Sequence, residues 1–138
     1  MAESGIVKEI LATLRAAGWW AEKTHGDSFT TTGSPDIHAC IAGRFVALEV
    51  KRPGAQATKA QLYHLRMIRE AGGVGAVVDD ADVVRDALAR WPRICDACLR
   101  DPGTSLNEGP GRWLCKECND DDLLRDRRRT SGDPIVTG

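Results

Sequence analysis

Two alternating runs, residues 36–41 and 44–51, are separated only by Ala42-Gly43. A two-residue connection with glycine available for positive φ closes an antiparallel hairpin and so fixes the pairing register. Ile41 then faces Arg44, the residue numbers of every cross-strand pair sum to 85, and Asp36 stands opposite Glu49. Side chains alternate along a strand, so Glu49 and Lys51 share one face while Leu48 and Val50 point to the core side. The hairpin therefore gathers two acids and a lysine. Opposed carboxylates repel at cross-strand distance unless a cation or a raised pKa relieves them. Two readings are open: a divalent ion on oxygen ligands, which suits Mg²⁺ or Mn²⁺ better than Zn²⁺, or a solvated salt-bridge ladder on an exposed sheet face.

The elements around the hairpin follow from periodicity. Ile6, Val7, Ile10, Leu11, Leu14 and Ala17 fall within one helical arc that Gly18 ends, so a helix is expected over about 6–17. Glu3 projects onto the centre of that arc if the helix extends back to it, whereas Glu9 lies roughly 120° away by the helical period. If Ser4 is instead the N-cap, Glu3 precedes the helix. Residues 19–23 suit a short strand, and 26–33 a loop. Thr58 and Gln61 have capping-box spacing ahead of a helix that Gly72-Gly73 ends. Residues 74–78 read as a buried strand and 81–90 as a last helix. The order α-β-β-β-α-β-α describes an α/β fold, a mixed sheet flanked by helices.

Near Trp91-Pro92-Arg93 the periodic pattern gives way to turn formers and paired cysteines, which divides the chain into 1–92, a module at 93–119 and a charged tail at 120–138 expected to fray. Cys95, Cys98, Cys115 and Cys118 form two C-x-x-C pairs with 16 residues between them, the spacing of a four-cysteine zinc ribbon or a treble-clef-like knuckle pair. Four thiolates close a tetrahedron, so this Zn²⁺ would be structural; a redox pair is the alternative. Cys40 reads as a small buried hydrophobe, and His25, His38 and His64 as scattered.

At 42% hydrophobic and 28% charged residues, the chain is globular in composition, not disordered or fibrous. No apolar run nears the roughly 20 residues of a membrane helix, and the amino end lacks a signal-peptide pattern, so a cytoplasmic protein without a membrane partner is expected. A formal net charge of −1 draws it toward no polyanion as a whole.

Gly33-Ser34-Pro35-Asp36, Leu48-Glu49-Val50-Lys51-Arg52-Pro53-Gly54, Thr58-x-x-Gln61 and Ala71-Gly72-Gly73, in that order, resemble the PD-(D/E)xK nuclease superfamily, and within it the VRR-NUC (virus-type replication-repair nuclease) branch. The resemblance runs from about Glu3 to Leu88. It implies a restriction-endonuclease-like fold and a metal-dependent DNA endonuclease, structure-selective, acting in bacterial or phage replication, repair or recombination, in a bacterial or phage-infected cell. It further implies that Asp36, Glu49 and the Val50 carbonyl hold Mg²⁺ or Mn²⁺, that Lys51 orients or deprotonates the attacking water, and that Glu3 and Gln61 complete the site. Gln61 also has the plain reading of a capping-box residue. Arg52 and Lys59 are candidate DNA phosphate contacts; Arg112, Lys116 and the arginines at 125 and 127–129 could assist. The alternatives are a Holliday-junction-resolvase-type nuclease working as a homodimer, and a non-catalytic adaptor in which the zinc ribbon binds nucleic acid or protein.

Overall fold

In a computed structural model, residues 2–25, 33–100, 106–107 and 113–119 are described. Most of the expected 26–33 loop, Arg112 and the charged tail lie outside them.

The first helix, α1 (Glu3–Ala16), buries Ile6, Val7, Ile10, Leu11 and Leu14 along the expected stripe. It begins earlier than the apolar period suggests, because its first turn is polar; Ala2 occupies the N-cap, and Ser4 lies inside the helix. An acidic Glu3 in that turn suits the helix dipole. At the other end Gly18 takes φ +89°. Its N–H donates to the Arg15 carbonyl (3.0 Å) and that of Trp19 to Leu14 (3.1 Å), a Schellman closure.

Strands β1 (Trp20–Lys23), β2 (Ile37–Ile41) and β3 (Arg44–Val50) form an antiparallel meander. Ala42 and Gly43 both have positive φ (51° and 81°), as a type I′ turn demands. Ile37 pairs with Leu48 and Ile41 with Arg44, the register the turn dictates. After α2 (Lys59–Glu70), strand β4 (Val74–Val78) runs parallel to β3 and completes a sheet of order β1-β2-β3-β4; α3 (Ala81–Arg90) follows.

On one face α1 packs with α3 over the sheet, and Ile10, Leu14, Ile37, Leu48, Val50, Val74 and Val84 are buried there. On the other face α2 lies against β4 and β3. The approach is close: a Cβ on Gly75 would stand 2.4 Å from the Leu65 carbonyl oxygen, so only glycine fits. α2 covers β4 and part of β3, and among the described residues nothing covers the rest of that face. Trp20, Cys40 and Phe45 form one cross-strand row there and all are exposed, which corrects the expectation that Cys40 is buried.

Packing continues past residue 92. Ile94 and Leu99 belong to the core of the sheet and helices. The free edge of β4 is satisfied by the cysteine segment, with Gly75 N–H donating to the Asp96 carbonyl (3.1 Å) and Val77 N–H to that of Ala97 (3.3 Å). Arg44, beside the hairpin turn, makes two hydrogen bonds (2.9 and 2.7 Å) to the fully buried Asp96 carboxylate. The composition change near 92 thus marks where the periodic pattern ends, while the packing is continuous across it. Leu106–Asn107 (β5) and Trp113–Leu114 (β6) then pair as a short hairpin.

Candidate active site and metal centres

Asp36 ends the hairpin ladder with its side chain. Its Oδ2 accepts the Val50 N–H at 2.8 Å, which holds the carboxylate at the end of β3. Beside it, Glu49 is buried at 2% exposure. Glu49 Oε1 accepts from Gln61 Nε2 at 2.9 Å and lies 3.5 Å from Lys51 Nζ. Its Oε2 has no donor partner. Burial, and then the neighbouring Asp36 carboxylate, push the Glu49 carboxyl up to about 7, with Lys51 pulling the other way. A protonated Glu49 can donate to Asp36; an ionised pair needs a cation. This buried, orphaned oxygen between two acids fits a divalent ion in a way a solvated ladder does not.

Gln61 serves both of its expected roles. Its Oε1 accepts the Thr58 N–H (2.8 Å) and its own N–H donates to Thr58 Oγ1 (3.2 Å), a complete capping box. The carbonyl end being committed to a backbone donor, the amide NH₂ must face Glu49. The helix cap thereby orients an acid-site contact. Lys51 follows directly, half-buried, with its N–H bonded to the Val78 carbonyl (2.9 Å) where the parallel strands end. Arg52, just after β3, and Lys59, the first residue of α2, are exposed. Glu3 is half-buried at the head of α1, but among the described residues it forms no set with Asp36 and Glu49 within 4.8 Å.

The four cysteine sulfurs do form such a set, all within 4.8 Å of one another. Cys98 and Cys115 stand 3.9 Å apart, against about 3.8 Å for sulfurs on a Zn²⁺ tetrahedron with Zn–S near 2.3 Å. The first pair sits on a tight knuckle, where Leu99 N–H reaches the Cys95 carbonyl (2.8 Å) and Cys95 N–H that of Arg100 (2.9 Å). The second pair spans one helical turn, residues 115–119. Cys118 is pushed far up, first by its hydrogen bond to Cys95, then by Cys98 and burial, so four thiolates cannot coexist there without a cation. The donor set fits Zn²⁺.

Periodicity and spacing missed Asp96. It lies inside the first C-x-x-C, and its partner Arg44 is distant in sequence; a charged residue between two ligands was the only available signal.

A solved structure described as a VRR_NUC domain is similar to this chain, with a TM-score of 0.56 and 21% identity over 64% of this chain and 96% of that one. No protein-family model matches the sequence, and no curated protein matches it either. The likeness is one of fold: this chain carries the mixed α/β architecture of a VRR_NUC domain, with a four-cysteine cluster toward its carboxyl end.

Proposed function

We propose that the chain is a metal-dependent DNA endonuclease that hydrolyses phosphodiester bonds at the end of β3. The observation that carries this is the buried Glu49 carboxylate, with Oε2 unpartnered, set against Asp36 and 3.5 Å from Lys51. The similar fold of a VRR_NUC domain supports it. Asp36, Glu49 and the Val50 carbonyl would hold Mg²⁺ or Mn²⁺, which supplies Lewis-acid activation of the phosphate and of a bound water. Lys51, whose Nζ lies 3.5 Å from Glu49 Oε1, would orient the attacking water, take its proton or balance charge on the phosphate. Gln61, itself bonded to Thr58, donates to Glu49 Oε1 and would help hold that carboxylate in position when the substrate arrives. Arg52 and Lys59 would meet flanking phosphates, and Glu3 would act from the head of α1. The cysteines would hold a structural Zn²⁺.

The test is incubation of the purified protein with labelled duplex, flap, single-stranded and four-way-junction DNA in Mg²⁺, Mn²⁺ or EDTA. Cleavage that needs the divalent ion and favours one DNA shape across unrelated sequences is expected. No cleavage of any substrate would refute the proposal.

A further inference from the structure

A cavity of about 370 Å³ opens where β3 and β4 end, between Lys51 and the cysteine cluster. Its walls include Lys51, Val78, Asp79, Val83, Arg100 and Glu117. Crevices at the carboxyl ends of parallel strands are where open α/β sheets take their ligands, because chain connections diverge there. This one shares Lys51 with the acid site, so whatever fills it lies next to the reacting centre.

We infer that this cavity is a subsite for one unpaired nucleotide of the cleaved strand, adjoining the scissile phosphate. The inference rests on the nuclease reading above and names its substrate class. The space suits a single base with its sugar, not a base pair. Val83, half-buried, offers an apolar surface to the face of a base. Asp79 and Glu117 offer carboxylates to exocyclic amino groups, and Lys51 and Arg100 offer cations to the phosphates on either side. Arg100 meets Asp79 at 3.8 Å with side chains 65% and 40% exposed, a loose pair that a phosphate can displace. A base already unpaired enters without the cost of unstacking a duplex, so flaps, gaps and single-stranded ends are favoured. The sheet supplies Lys51, Val78 and Asp79, whereas Arg100 and Glu117 come from the cysteine segment. That segment thus completes a substrate wall in addition to covering the edge of β4.

The experiment steps one abasic position through a single-stranded oligonucleotide and reads both cleavage and fluorescence anisotropy, the latter in Ca²⁺. One position beside the cut should lose about tenfold in kcat/KM and in affinity when its base is removed. Val83→Trp, which narrows the cavity, should cost the intact strand a similar factor and the abasic strand markedly less. Arg100→Ala, at an exposed residue, should weaken binding several-fold even if Val83→Trp fails to fold. Position-independent behaviour, or an unchanged profile in folded Val83→Trp, would overturn the subsite. Because anisotropy reads the pocket without any cut, absence of cleavage with position-dependent binding would remove the nuclease reading alone.

Discussion

The acid pair and the cysteine cluster are two ligand sets built on opposite principles. The cysteines bring four soft donors together within 4.8 Å and leave no position open. Among the described residues the acid site brings two carboxylates together, one of them with an oxygen unpartnered and its carboxyl pushed up to about 7. A closed set holds a metal to hold the chain; an open one leaves places for water and phosphate. What differs is completeness, and on the function proposed above the complete set would serve structure and the open one chemistry.

The largest effect that can break this comparison is on cleavage. Asp36→Ala, Glu49→Ala and Lys51→Ala should each lower it on the order of a thousandfold, with circular dichroism unchanged. Retained cleavage in any of them would collapse the distinction. On the other side, Cys95→Ser or Cys118→Ser should abolish retention of one Zn²⁺ per chain through dialysis, read by metal analysis. Since Asp96 and Ala97 bond the edge of β4, amide exchange at Gly75 and Val77 should quicken as well.

Asp96→Ala removes the buried carboxylate that accepts from Arg44 and from the Trp113 N–H, and should cost about 1–3 kcal/mol in denaturant unfolding. Unfolding of the metal-free protein should also depend on pH in a stated direction. The folded Glu49 holds its proton up to about 7, whereas its ordinary value is 4.5. The folded state thus binds more protons between those values, and stability falls as pH rises through that window. Glu49→Gln should flatten the slope, and saturating Mn²⁺ should reverse it. The smallest effect expected is a several-fold loss of cleavage in Glu3→Gln that Glu9→Gln does not share, since Glu9 is exposed and Glu3 half-buried.

The parts of this architecture that were legible in the sequence rest on short-range constraints. A two-residue turn admits one register, so the Asp36–Glu49 juxtaposition could be read from Ala42-Gly43. Thr58 and Gln61 announced a helix cap three residues wide, though the second bond of Gln61, to Glu49, depends on where α2 docks. The four cysteines announced themselves by spacing. The start of α1 did not, because apolar periodicity is silent about a polar first turn. Cys40 was misjudged because alternation says which side of a sheet a residue occupies, and only the coverage of α2 says whether that side is wet. The Arg44–Asp96 pair, 52 residues apart, carries no local signature, and neither does the docking of residues 94–97 along β4.

The claim that the acid pair is an exchangeable catalytic centre beside a closed zinc centre is tested most directly by titrating Mn²⁺ into zinc-loaded protein. Free Mn²⁺ would be followed by electron paramagnetic resonance, and cleavage of a labelled strand measured in the same samples. The account predicts that wild type takes up Mn²⁺ with cleavage rising in step, that zinc content stays constant, and that Glu49→Gln loses both uptake and cleavage. Cleavage that persists in Glu49→Gln, or that rises only as Mn²⁺ displaces zinc from the cysteines, would contradict it.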